Sequence, residues 1–329
     1  MTPVRMAQWG TGHGHAEGKL CALRSNPGVE LVGVIEPDRA RRAALERDGS
    51  AYAGVRWFDD PSPVLDDPAV VAVAAEGRND ESLAEAAAII RAGKHLWLDK
   101  PAGDDLPAWL AVADEAERRG LLIQLGYMFR YHHGFMAIAE LARSGALGEV
   151  FSVRAHMSTS IPLAARAVIA RHRGGIFYDL AGHMIDQIVG LLGRPLDVTL
   201  YARQDADAVS GFADNTLGVL AFDRAMAIID IAAMEPAPTA RRFEVYGRSG
   251  SAIMEPFEPA GPIRLCLATG VQTIPVPTQT RQELYDRELD AFLATLSGRP
   301  PDRTLAHERL VQETLLRLTT EQGLEKPHW

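Results

Sequence analysis

Residues 4–15 read VRMAQWGTGHGH, and this stretch decides the fold. Residues 4–9 are short, largely apolar and stop at glycine, which predicts a buried strand with Gln8 as a polar intrusion. The loop follows at once. Gly10 permits a tight turn, and Gly12 lets the backbone approach an anion at the positive end of the helix expected over 15–26. The third glycine of a G-x-G-x-x-G pattern falls on His15, with Gly14 one place early. A second strand over 29–36, VELVGVIE, ends on Glu36 roughly 20 residues beyond the loop, where a carboxylate accepts hydrogen bonds from ribose hydroxyls. Strand, loop, helix and acid together point to a bound dinucleotide. The carboxylate would repel a 2′-phosphate and so favours NAD over NADP, while Arg39 nearby offers a phosphate contact that keeps NADP open. His13 and His15 read as loop contacts; no further metal ligand lies nearby in sequence, and no metal is expected.

Outward from the loop, helical composition over 37–47, 81–92 and 107–119 alternates with strands over 70–75, 95–99 and 121–125, the pattern of a parallel sheet. Asp104 and Asp105 before Pro107 mark a helix start, and Gly93 and Gly120 sit at helix ends. Beyond Gly126 the pattern changes. Helices are expected over 135–144 and 176–192, and strands over 150–157, 198–203, 215–222, 225–233, 243–247 and 251–254, with closing helices over 280–296 and 304–322. The expected fold is α/β: an N-terminal Rossmann domain with a doubly wound parallel sheet over 1–125, then a C-terminal α+β domain over 126–329. The second domain would carry a largely antiparallel open sheet and serve substrate binding and oligomerisation.

Composition sets the bounds. A chain of 329 residues, 47% hydrophobic and 23% charged, suits a globular protein of two domains. The net charge of -9 is spread without a single-sign block, so nucleic acid is not expected as a partner. Cys21 and Cys266 stand far apart and read as small buried side chains of a reducing compartment. No secretory leader and no apolar run of roughly 18 residues is visible, which makes a cytoplasmic protein the expectation.

Four segments then carry chemistry: GTGHGHA with Glu36, AGKHLWLDKP at 92–101, GYMFRYH at 126–132 leading to GALGEV at 145–150, and GGIFYDLAGHMIDQIVGLLG at 174–193. Asp179 and His183 are four apart, so on a helix they share a face and can converge on one substrate atom. Oxidising a secondary alcohol needs a group to take the hydroxyl proton, and an imidazole with its near-neutral pKa suits that role. Lys100 falls just past a strand's C-terminal end, where open α/β sheets bind ligands, and its ammonium can stabilise a developing alkoxide. Asp186 extends the same helix face, but two histidines at zinc spacing are missing there.

These segments resemble the Gfo/Idh/MocA family of oxidoreductases, the group of glucose-fructose oxidoreductase and inositol 2-dehydrogenase, over nearly the whole chain. The family's AGKHVLCEKP is matched with Asp99 in place of glutamate, and its D-x-x-x-H-x-x-D is matched by Asp179, His183 and Asp186. The resemblance implies an NAD(P)-dependent dehydrogenase acting on a sugar, cyclitol or related polyol, with Lys100, Asp179 and His183 catalytic. It implies cofactor contacts from Gly10, Thr11, Gly12, His13, Gly14, His15, Glu36, Arg39, Asn79, Asp99, Lys100, Arg130 and Tyr285. Substrate contacts would come from Lys100, Tyr127, Asp179 and His183; by residue type alone His156, Arg154, Arg171, His172 and Arg173 suit recognition of hydroxyls or a carboxylate, or a surface role. A homodimer or homotetramer built on the open sheet face is implied as well. The family's T-P-N-x-x-H is replaced here by Gly77, Arg78 and Asn79, with Ser82 at the histidine position. Two alternatives therefore stay open beside the dehydrogenase: an enzyme that retains NAD through epimerisation or glycosidic cleavage, and a non-catalytic dinucleotide sensor.

Overall fold

The computed structural model describes residues 2–47, 49–206, 209, 211–320 and 324–325. It divides the chain into two compact units, Met1–Met128 with Thr280–Arg309, and Phe129–Gln279 with Leu310–Trp329.

The first unit opens with β1 (Val4–Trp9), α1 (Ala16–Ser25), β2 (Val29–Ile35) and α2 (Arg39–Leu45). It continues through β3 (Trp57–Phe58), α3 (Ser62–Leu65), β4 (Ala72–Ala75), α4 (Ser82–Arg91), β5 (His95–Leu98), α5 (Leu106–Arg119) and β6 (Ile123–Leu125). Sequence periodicity locates all of these but β3 and α3, which at two and four residues are too short to show a period. The six strands are parallel in the order β3-β2-β1-β4-β5-β6. The order reverses between β1 and β4, so a crevice opens beyond the carboxyl ends of these two strands. Helix ends follow side-chain chemistry: Asp38 accepts from Ala40 N and Arg41 N, and Gly120 closes α5 at φ 65°.

The expected boundary at residue 125 differs from the structure in one respect. Helix α9 (Arg281–Leu296) belongs to the first unit. A Thr280–Glu283 capping box starts it, and it lies along α1. Gln282 Nε2 donates to Gly18 O at 3.0 Å, and Asn26 Nδ2 to Asp290 Oδ1 at 2.8 Å. Trp97 Nε1 reaches Glu288 Oε1 at 2.7 Å, while Gln124 Nε2 bonds Glu288 O at 2.8 Å. A Cβ on Gly18 would meet the Tyr285 ring at 2.4 Å, so the missing side chain lets the helices touch.

The second unit contains α6 (His133–Arg143), β7 (Val150–His156), α7 (Leu163–Ile169), α8 (Ile176–Leu192), β8 (Asp197–Arg203), β9 (Asn215–Ala221) and β10 (Met226–Ala232). Strands β11 (Arg242–Gly247), β12 (Gly250–Met254), β13 (Ile263–Leu267) and β14 (Gly270–Ile274) follow. Helix α10 (Leu305–Thr319) crosses the division between the units, and β15 (Leu324–Glu325) ends the set. The closing helix was expected to reach Gln322, which lies outside the described residues. Nine strands pair in the order β14-β13-β12-β11-β7-β10-β9-β8-β15, antiparallel except β7–β10 and β8–β15. Helix α8 covers one face: a Cβ on Gly218 would strike Phe177 at 2.4 Å. Gly175 begins α8 at φ 53°, and a Cβ there would lie 2.4 Å from the Ala213 carbonyl oxygen, which is the physical reason for the glycine pair. Among the described residues no helix is long and apolar enough to cross a membrane.

Candidate active site

In the first unit the loop after β1 runs against the segment after β4. Gly10 takes φ 83°, and a Cβ there would lie 2.4 Å from the Gly77 nitrogen, so two backbones pass in van der Waals contact. His13 N donates to Glu76 O at 3.0 Å. A cavity of about 580 Å³ opens beside Gly10, lined by Trp9, Glu36, Pro37, Asp38, Arg41, Arg78, Asp80, Glu81, Ala84 and Glu85. Within it Glu36 Oε2 accepts from the Thr11 hydroxyl at 2.6 Å and from Arg41 Nη1 at 3.3 Å. Arg39 lies elsewhere: its side chain is 83% exposed and pairs with Asp59 at 3.3 Å. Helix phase explains the exchange, since α2 begins at Arg39 and the residue two places on turns back to the cavity. Sequence reasoning missed Arg41, although both arginines follow the acid closely.

The substituted segment after β4 is internally bonded. Arg78 Nε reaches Asp80 at 3.0 Å and its Nη2 reaches Glu81 at 2.7 Å, while Ser82 Oγ donates to Asn79 O at 3.1 Å. Arg78 thus stands at the cavity wall with two acids beside it. Glu85 points inward. Burial, reinforced by Glu81, pushes its carboxyl up to about 8, so at neutral pH it adds little negative charge next to Glu36.

Below the loop lies a buried ionic cluster that sequence reasoning did not foresee. Lys19 Nζ is 3.2 Å from Asp99 Oδ2, 3.3 Å from Glu76 Oε1 and 3.6 Å from Glu288 Oε1, with the Trp97 ring centroid at 4.4 Å. Burial opposes the ammonium, yet Asp99, Glu288 and Glu76 together raise its pKa. Asp99 Oδ2 is also 3.1 Å from Nδ1 of both His13 and His15. Burial works against the Asp99 charge, but His13, His15 and Lys19 outweigh it and hold the carboxyl well below its ordinary range. Neighbouring Glu76 is pushed well above that range by burial, despite Lys19. His15 falls to about 4 because burial dominates over the attraction of Asp99. Tyr285 lies against this group, its ring 5.3 Å from His15. Asp99 also accepts from Lys100 N at 2.6 Å. Lys100 itself is buried at the end of β5 and joined to Pro101 by a cis peptide.

The second unit holds Asp179 and His183 one turn apart on α8. His183 is buried with its ring 5.1 Å from Phe129. Arg130, expected at the cofactor, donates to Asp186 Oδ1 from Nε at 2.9 Å and Nη2 at 2.8 Å, and the two side chains are 2% and 0% exposed. Asp186 is thereby the partner of a guanidinium. His172 is buried and stacks on Tyr178 at 4.7 Å, flanked by exposed Arg171 and Arg173. Tyr127, at the end of the first unit, is fully buried.

The structure separates His156 from Asp179 and His183. Ala155 pairs with Ile229 and Ile229 with Gly218, the row that faces Phe177 of α8. His156 pairs with Asp230 and Asp230 with Leu217, and this row points to the opposite face. There His156 Nδ1 bonds Asp230 and its Nε2 lies 3.1 Å from Glu235. One step of strand register reverses the side chain, which residue type does not resolve. Arg154, two residues earlier, shares that face, its guanidinium 5.6 Å from the Tyr246 ring.

The donors around the first cavity fit the adenosine half of a dinucleotide: a close-passing glycine, a helix N-terminus and an acid that can accept from a ribose diol. Comparison with known proteins agrees. Residues 4–127 match the family described as "Oxidoreductase family, NAD-binding Rossmann fold", and residues 135–253 match the "GFO/IDH/MocA C-terminal domain". The chain is 27% identical over 250 residues to a scyllo-inositol 2-dehydrogenase (NAD(+)) of Bacillus subtilis, covering 73% of this chain and 69% of that one. It is 27% identical over 293 residues to an inositol 2-dehydrogenase of Rhizobium meliloti, covering 84% and 83%. An oxidoreductase from Agrobacterium radiobacter, solved with NAD+, L-tartaric acid and magnesium, shares the fold with a TM-score of 0.82 at 16% identity, over 95% of this chain and 94% of that one.

Proposed function

The chain belongs to the Gfo/Idh/MocA family and is an NAD(P)-dependent oxidoreductase; from that premise we propose that it oxidises a secondary carbinol of a cyclitol, sugar or related polyol, or reduces the matching ketone. The observation that carries this reading is Lys100, buried at the carboxyl end of β5 in the same unit as the dinucleotide crevice. The inositol dehydrogenases among its relatives support the substrate class.

A bound nicotinamide supplies the hydride acceptor or donor. The ammonium of Lys100 donates to the carbinol oxygen and stabilises the charge that grows there. The imidazole of His183 takes the hydroxyl proton, and Asp179 orients a substrate hydroxyl or steadies the imidazolium. Glu36 holds the adenosine ribose and favours NAD, with Arg41 and Arg78 as the cations that admit NADP.

The test is NADH and NADPH binding by fluorescence, then a screen of inositols, polyols and sugars for reduced-nicotinamide absorbance. Turnover should fall roughly 10²–10⁴-fold in Lys100→Met, the size of a lost acid–base or charge-stabilising group, with cofactor affinity retained. Tight cofactor binding without turnover on any carbinol would overturn the dehydrogenase reading in favour of a sensor or a retained cofactor.

We also propose that the sheet face opposite α8 joins copies of the chain. It exposes Tyr201, Leu217 and Met226, at 45%, 37% and 54%. Light scattering should show a dimer or tetramer that Leu217→Arg disrupts; a wild-type monomer at micromolar concentration would refute this.

A further inference from the structure

We propose that His13, His15 and Asp99 form a binding site for a divalent transition-metal ion of the zinc class, set in the loop between β1 and α1. Their donor atoms, one from each residue, all lie within 4.8 Å of one another, and Asp99 Oδ2 is 3.1 Å from each Nδ1. Small side-chain adjustments bring three such donors around an ion at about 2.0–2.2 Å. Two imidazoles and a carboxylate are zinc ligands by type, and three protein ligands leave one coordination position open.

The local bonding calls for a cation. His13 Nδ1 accepts from His15 N at 3.2 Å and also faces Asp99 Oδ2. That nitrogen cannot carry a proton for the carboxylate and a lone pair for the amide at once, so either tautomer leaves one contact repulsive. An ion between the nitrogen and the carboxylate makes that contact attractive, with the lone pair given to the ion in place of the amide. The site also adjoins buried acids: Asp99 and Glu288 lie 3.2 and 3.6 Å from the Lys19 ammonium. The backbone also makes room, because a Cβ on Gly126 would sit 2.8 Å from Asp99 Oδ1 and 2.6 Å from Lys19 Nζ.

The experiment uses the full chain, stripped with chelator and titrated with Co²⁺, whose visible d–d absorption reports nitrogen and oxygen ligation, followed by displacement with Zn²⁺. One ion per chain is expected, with the band lost on adding zinc. His13→Gln and His15→Gln should each weaken binding at least roughly 100-fold, no less than the loss of an outer partner of a metal ligand produces. Far-UV circular dichroism checks that each variant is folded. Should either fail to fold, the wild-type spectrum decides alone. Absence of a visible band at about millimolar Co²⁺, or binding that survives both substitutions, overturns the site. The readout needs neither cofactor nor substrate, so a failure of the dehydrogenase reading is distinguishable from a failure of this one.

Discussion

Breaking the Arg130–Asp186 pair separates a structural arginine from a cofactor-binding one. Asp186→Leu leaves a guanidinium that is 2% exposed without the carboxylate that accepts from it at 2.8 and 2.9 Å. Removing one member of a buried pair costs about 3–5 kcal/mol, because the surviving charge stays out of water while its paired carboxylate is gone. Replacing both members with apolar side chains of similar volume is often neutral, so Arg130→Met with Asp186→Leu should recover most of the loss. At an m-value near about 3 kcal/mol/M in urea, the single variant's midpoint falls by roughly 1–2 M. The two units allow the effect to be located. Trp9, Trp57, Trp97 and Trp109 lie in the first unit and Trp329 in the second, so in a Trp329→Phe background fluorescence follows the first unit while far-UV circular dichroism follows both. The early part of the dichroism transition should shift and the fluorescence transition should not. NADH affinity should be unchanged in the double variant. A shift below about 1 kcal/mol in the single variant, or a double variant that folds normally but has lost NADH binding, would refute the structural assignment.

Other outcomes follow from the same geometry. Glu36→Ala should weaken NADH binding about tenfold and improve NADPH binding, since Arg41 loses the carboxylate that holds it; dissociation constants from fluorescence titration decide, and unchanged preference would exclude Glu36 from the ribose site. The pKa of Glu85 is raised by burial, so native Glu85 holds its proton longer than the unfolded chain does. Its burial therefore costs stability increasingly as pH rises from about 4.3 towards about 8. Glu85→Gln should gain stability over wild type at pH 8 and not at pH 4, measured by denaturant midpoints. His156, whose pKa is also raised, changes in the same direction with pH, as a contribution that is lost and not as a cost that grows. Its hydrogen bond to Asp230 raises its pKa against the effect of burial, so its contribution is fully present below the unfolded value of about 6.5 and is lost as pH rises through the folded one. His156→Gln should flatten that part of the stability profile, and an unaltered profile would exclude the pairing.

The parallel sheet was legible because its strands are apolar runs separated by helices with capping residues, each a local signal. So were Lys100, Asp179 and His183, whose positions on a strand end and a helix face follow from spacing. What escaped was set by partners distant in sequence. Arg130 and Asp186 are 56 residues apart, and each alone looks like a site residue. The direction of His156 depends on pairing with β10, and the exchange of Arg39 for Arg41 depends on where α2 begins. Lys19 did leave a trace: with Ala16, Leu20 and Leu23 it falls on the buried stripe of α1, where a charge needs partners. Nothing local named Glu76, Asp99 and Glu288 as those partners.

The return of α9 to the first unit bears on how the protein is made. Translation yields residues 1–128 first, but the helix that supplies Glu288 to Lys19 and Trp97 emerges only after residues 129–279 have been synthesised. At about 5–20 residues per second that interval is roughly 8–30 s. During it the nascent chain carries a buried-type ammonium and an indole whose acceptor has not left the ribosome. A gene fragment stopped at the end of β6 would lack the partners that α9 supplies to Lys19, Trp97 and Gln124.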